Sequence, residues 1–458
     1  MPMARISAWE DDPCAQPAVQ PISRPVPSTD RKPFPVRVVE RQPAASTYAA
    51  GTREFRYWSG LDALTRASVY WTRAAAPQTQ WQSGGELRVH LDRGVDLNAY
   101  YDRDGLNFFH ADVNGVVVYT GESPDVLCHE HGHALLDAVR PDLWNAASLE
   151  VDALHEAFGD ISAMLAALQL PSVRTAVLAQ TGGRLARASR LTRMAEQLGW
   201  AIRQFRPDAA DPDCLRNAAN SFFYREPSTL PPSAPASSLS SEPHSFSRVF
   251  TAAWLESFAA MVDRVGATSS GLASASRDAG RLLVAAVRDA RVASNYFAQV
   301  AAHLLRADAQ LFAGRDQQGI RTAFVRRGVL SVSSAASVVS QVRAGVAPVA
   351  AVDGRGTTET RVRVNGALFG LRAREVIVDA PVDSAMSVAA SAALDLGSLV
   401  AVPSLRAAQA FVEVLLRRRR IDPGGLAARG SQPPRPGRTT HRLVRDGRAV
   451  RLVRTRFH

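Results

Sequence analysis

The stretch Ser123-Pro124-Asp125-Val126-Leu127-Cys128-His129-Glu130-His131-Gly132-His133-Ala134-Leu135-Leu136-Asp137-Ala138-Val139 decides how the rest of the chain is read. Pro124 and Asp125 open a segment whose apolar residues, Val126, Leu127, Ala134, Leu135 and Ala138, fit a buried helix, and Pro141 ends it. On a helix, His129 and His133 are four apart and share a face, so both can aim a ring nitrogen at one cation. Glu130, one residue along, leans toward the open side of such an ion, where it can take a proton from a bound water. His131 turns away from that face and reads as a packing residue. Cys128 reads as a small buried thiol rather than a ligand. The plainer alternative is a helix carrying two surface histidines.

A catalytic zinc takes three protein ligands and leaves its fourth position to water. A third histidine on the same helix would need Gly at position 136 and His at position 139, where the chain has Leu136 and Val139. The next helix, expected from about Asp152 to Leu170, offers His155-Glu156-Ala157-Phe158-Gly159-Asp160. Glu156 and Asp160 again share a face. Glu156 can complete the ligand set while Asp160 accepts the other ring N–H of a ligand histidine and fixes its tautomer. A solvated acidic stripe is the alternative, but Leu154, Ala157, Phe158 and Ile161 beside it read as buried.

These two segments, with their neighbours, resemble the thermolysin-like gluzincin metallopeptidases over roughly 95–330. Asp125 and Asp137 fall where that family has acids. Asn98-Ala99-Tyr100-Tyr101 is similar to its edge strand, which pairs with the substrate backbone. Leu215-Arg216 resembles its Leu-Arg element, Glu242-Pro243-His244-Ser245 the segment with its second catalytic histidine, and 323–330 the close of its helical lobe. The resemblance implies a zinc metalloendopeptidase acting on polypeptides, with Glu130 as general base and His244 donating to the oxyanion. Asn98 and Ala99 would bind substrate, and Arg216 would hold a substrate carbonyl or brace the cleft. Trp144 takes the place of the family's oxyanion tyrosine. There are departures: His155 replaces an asparagine, Leu239 stands where an aspartate would orient His244, and Ala167 stands where a second acid would join Asp125 at a calcium site. A paired calcium site is therefore doubtful.

The 458 residues, 46% apolar and 21% charged, suit two or three globular domains. The expected fold class is α+β. A proline-rich, disordered leader (1–45) precedes a zincin-type catalytic unit with a mixed strand and helix N-lobe (46–140) and a helical C-lobe (141–335). A small basic α/β unit (345–458) follows, with hairpins at Asn365-Gly366 and Asp446-Gly447 and a helix at about 404–420. Strands are expected at 87–91 and 115–119, and helical stretches near 187–206, 245–266, 273–311 and 333–343. No apolar run is long enough to span a membrane and no secretory signal is seen, so cytoplasmic location is the default, with export by a route without such a signal as the alternative. Three scattered cysteines argue against a disulfide framework. The net charge of +11 resides in 417–458, which holds 13 Arg against Asp422 and Asp446. That end reads as the solvated face of a small domain in preference to a polyanion site, because Phe457 is its lone aromatic. The competing function is a zinc-bearing scaffold without turnover, whose basic end docks on an acidic partner.

Overall fold

The described residues between 4 and 45 are ordered and not a loose leader. The computed structural model describes residues 4–28, 33–343, 359–369, 375–381, 404–426, 438–447 and 449–457. Strands β1 (Arg5–Ala8) and β2 (Ile22–Pro25) form an antiparallel ribbon, and β3 (Val36–Val38) joins the main sheet. The strands are short, and β2 ends on Pro25 at the edge of its two-stranded ribbon. Ile6, Ala8 and Phe34 are fully buried, and this burial holds the segment in place.

The expectation of strands alone between 46 and 120 also needs correction. Helix α1 (Arg53–Thr72) begins at Thr52, whose side chain accepts from the Phe55 amide, and runs through the core. It is buried on nearly every side and so lacks the apolar stripe that marks a surface helix. Its buried charges are paired: Arg56 with Glu122 at 3.1 Å, and Arg66 with Asp62 at 2.8 Å.

Strands β4 (Leu87–His90), β5 (Ala99–Tyr101) and β6 (Gly105–Phe108) complete a four-stranded sheet in the order β3-β4-β6-β5, with β5 at an edge. A hairpin of β7 (His110–Val113) and β8 (Val116–Tyr119) leads into α2 (Pro124–Val139). Helix α3 (Leu149–Ala167) packs on α2 through two glycines. A Cβ on Gly132 would lie 2.7 Å from Ser162 Cβ, and one on Gly159 would lie 2.5 Å from His129 Cε1. Only glycine allows this approach.

Helix α4 (Pro171–Thr181) follows, then a two-residue ribbon of β9 (Arg193–Met194) and β10 (Arg216–Asn217) around α5 (Glu196–Phe205). The C-lobe is α6 (Pro243–Val265), α7 (Ser269–Asp289), α8 (Tyr296–Phe312), α9 (Gln317–Arg326) and α10 (Val332–Arg343). The stretch expected at 187–206 is helical only from Glu196, and that at 273–311 is two helices. Among the described residues no single helix is long and apolar enough to cross a membrane.

At the C-terminal end, β11 (Glu359–Asn365), β12 (Glu375–Pro381), β13 (Ile421–Asp422), β14 (His441–Asp446) and β15 (Ala449–Arg454) form a sheet in the order β11-β12-β15-β14-β13. Helix α11 (Ser404–Arg417) covers it through Ala408, Phe411, Val412 and Leu415. The Asp446-Gly447 hairpin forms, with Gly447 at φ +61°. Asn365-Gly366 does not turn tightly: a short 3₁₀ segment, Gly366–Phe369, follows β11. The expected start at 345, and residue 370, lie outside the described residues. Taken together the architecture is mixed α+β with several small sheets.

This unit is not a separate appendage. Its apolar cluster includes Ala147 and Leu149 from the start of α3. The Arg454 guanidinium, 3% exposed, donates to the Trp144 carbonyl at 2.8 Å and pairs with buried Asp152. Phe457 belongs to the main core, and its backbone pairs with Tyr101 through bonds of 3.2 and 2.9 Å.

Candidate metal centre

Helices α2 and α3 bring four candidate residues to one place. His129 Nε2 lies 3.3 Å from Glu156 Oε2, and His133 Nε2 lies 3.6 Å from Glu156 Oε1. His133 is fully buried, yet neither of its ring nitrogens makes a hydrogen bond. Burial first, and then the neighbouring His129 and His155, hold its pKa well below the ordinary histidine value. A neutral ring whose Nε2 faces a carboxylate with no hydrogen bond made is an arrangement suited to a cation. His129, Glu130 and His133 form a buried group that could hold a metal ion, their donor atoms lying within 4.8 Å of one another. Both carboxylates therefore border the position, and Glu156 supplies the shorter separations.

Asp160 fixes His129. Its Oδ1 accepts from His129 Nδ1 at 2.9 Å, which leaves Nε2 directed at Glu156. The Arg216 guanidinium grips the same carboxylate from β10 with bonds of 2.7 and 2.6 Å. Burial alone would raise Asp160, but Arg216 and His129 outweigh it and hold the carboxylate below its usual range. Arg216 thus braces His129 through Asp160.

Glu130 is 3% exposed, and its Oε2 has no hydrogen bond. Burial, with the Glu156 charge nearby, pushes it up to about 8 against the opposing pull of His129. His131 and Cys128 point elsewhere. His131 meets Ser68 Oγ at 3.0 Å and the edge of Trp81, and the Cys128 thiol faces the Ala63 carbonyl in α1.

His244 stands in the first turn of α6, with Nε2 3.0 Å from Glu156 Oε2. Its orienting acid is Glu242, whose Oε1 lies 2.8 Å from His244 Nδ1. Glu242 also caps α6 by accepting the Ser245 amide at 3.0 Å. The acid that is missing at Leu239 is thus supplied two residues before the histidine. Pro243 at the first helical position marks Glu242 as the cap, and that signal is present in the sequence. Arg418, just beyond α11, lies 2.9 Å from Glu242. Burial would raise Glu242, but Arg418 and His244 hold it well below the usual carboxylate value.

A cleft of about 670 Å³ opens onto this centre, lined among others by Asn98, Ala99, His129, Glu130, Arg216, His244, Arg418 and Arg420. Ala99 sits on the edge strand β5. Trp144 is 4% exposed and does not line this cleft. It packs against Tyr101 and Phe457 under the Arg103 guanidinium, because the chain end has folded over it. Its expected contact with substrate has no counterpart in this geometry. The Phe457 ring stacks on His155 at 3.8 Å and on His133 at 5.3 Å. Sequence reasoning did not single out Glu242, Arg418, Arg420 or Phe457 as part of the site, and the last three gave no local signal that they would reach it.

Asp125 lines the same cleft one helical turn before His129. With Asp11 and Glu196 it forms a second group that could hold a metal ion, which takes its other acids from the leader and α5 and not from position 167. No known family model and no curated protein matches this chain.

Proposed function

We propose that the chain is a zinc-dependent metallopeptidase of the thermolysin-like kind, with a zincin-type catalytic unit. The donor set carries this proposal: two neutral-capable imidazoles and one carboxylate, from two helices locked together by Gly132 and Gly159, beside an unbonded Glu130. A tetrahedral ion bound at roughly 2.0–2.1 Å sets neighbouring donors about 3.3 Å apart. The separations of 3.3 and 3.6 Å to Glu156 fit that size.

His129, His133 and Glu156 would hold the zinc, which when bound acts as a Lewis acid and lowers the pKa of a water at its open position. Glu130 takes the proton from the attacking water and returns it to the leaving amine as the C–N bond breaks. Asp160 and Arg216 keep His129 in the tautomer that leaves Nε2 free. The Glu242 carboxylate orients the His244 ring through Nδ1 and turns Nε2 toward the centre, where an Nε2–H would donate to the oxyanion. The edge of β5 at Ala99, where it lines the cleft, would offer backbone groups to an extended polypeptide.

The test pairs metal analysis with hydrolysis. Native protein should contain about one zinc per chain and should cleave a denatured, mixed-sequence protein. Protein that takes up no zinc would defeat this proposal. Stoichiometric zinc with no cleavage would favour the scaffold without turnover.

A further inference from the structure

Of the four consecutive arginines at 417–420, two turn away from solvent and into the cleft. Arg417 pairs with Glu413 on its own helix. Arg418 is taken by Glu242. Arg419 adopts a left-handed conformation, φ +56°, and this reverses the chain so that Arg420 lines the same wall as His244 and Arg418. Arg420 donates to the Arg438 carbonyl at 2.9 Å and makes no ion pair with any described carboxylate. Arg438 also lines the cleft, as does Arg248, which is 3.9 Å from Asp211. Among the described acids near Arg420, Glu242 is claimed by Arg418 and His244, Glu156 faces His129, His133 and His244, and Asp152 pairs with Arg454.

We infer that Arg420, with Arg438 beside it, is an anion subsite of the cleft, and that the preferred substrate is a peptide carrying a carboxylate near the scissile bond. The inference rests on the peptidase proposal above. A guanidinium held in a partly buried wall among other guanidiniums, with the nearby carboxylates already engaged by other partners, is costly without a counter-charge of its own. Burial, followed by Arg418, lowers Arg420 to about 10, which marks the same deficit. An incoming carboxylate removes it, and the planar fork of arginine suits two-point binding. The carboxylate has two possible sources, an acidic side chain or a free C-terminus.

The experiment uses the full chain bearing Glu130→Gln, loaded with zinc, and four labelled peptides of equal length read by fluorescence anisotropy. One has an interior Glu and an amidated end, one is neutral with a free C-terminus, one is neutral and amidated, and one has an interior Lys. The expected result is that one of the first two binds roughly 10-fold or more tighter than the neutral amidated peptide, as a charge-assisted pair contributes. Which of them does so identifies the source. Adding Arg420→Gln should erase the preference, Arg420→Lys should retain part of it, and bound zinc should stay at one per chain in both. Equal affinity across the four peptides, or a preference that survives Arg420→Gln, overturns the subsite while leaving cleavage by the unsubstituted protein untouched. Failure of every peptide to bind, together with absent cleavage, overturns the subsite and the peptidase proposal together.

Discussion

The helix pair α2–α3 and the C-terminal unit approach the same centre in opposite ways. The helix pair brings five side chains from two segments, 129–133 and 156–160, and their spacing on each helix already places them together. The C-terminal unit brings Arg418, Arg420 and Phe457 across hundreds of residues, and no spacing announces them. A donor set held by helical periodicity is a local property. The wall around it, and the partner that orients His244, come from packing between distant segments.

The largest expected effect tests the helix pair. Glu130→Gln should keep zinc and lower kcat by about 10³-fold or more, since it removes the base and preserves the shape. Comparable turnover would place the chemistry elsewhere and leave the helix pair a mere scaffold. His244→Ala should follow, with kcat reduced by about 10²–10³-fold and KM changed less. An unaltered kcat would make His244 a loop residue.

The next two predictions concern the C-terminal unit. Arg454→Met leaves Asp152 buried without its partner and should cost about 3–5 kcal/mol in chemical denaturation. Phe457→Ala opens a void against His133 and His155 and should cost about 3 kcal/mol, with weaker zinc retention against a chelator. If both variants are as stable as the parent, the C-terminal unit is an appendage after all. The smallest effect is the sharpest. Arg418→Met should lower kcat only about 10-fold, acting through Glu242 on His244, with partial rescue by Arg418→Lys. A fall in KM-controlled binding with kcat intact would assign Arg418 to substrate contact and not to positioning.

The comparison also explains which parts of the fold were legible. The strands at 87–90 and 116–119, the helices at 124–139 and 149–167, and the Asp446-Gly447 hairpin obey local rules of period and turn chemistry, whereas the edge strand at Ala99 was expected only through the family resemblance. Helix α1 was hidden because burial on all sides erases the apolar stripe. The leader was misjudged because proline density hides short strands that are ordered by contact with α1 and not by their own propensity.

The sequence by itself determined the candidate donors. His129, Glu130 and His133, then Glu156 and Asp160, are fixed relative to one another by the 3.6-residue turn, whatever surrounds them. Only the tertiary structure decided what those donors face. It set Arg216 on Asp160, gave His244 to Glu242 and Arg418, withdrew Trp144 behind Phe457, and turned Arg420 into the cleft. The physical reason is range. A helix enforces neighbours three and four residues apart, whereas a guanidinium finds its carboxylate, or an aromatic ring its pocket, only after the whole chain has buried its apolar surface and brought remote segments together.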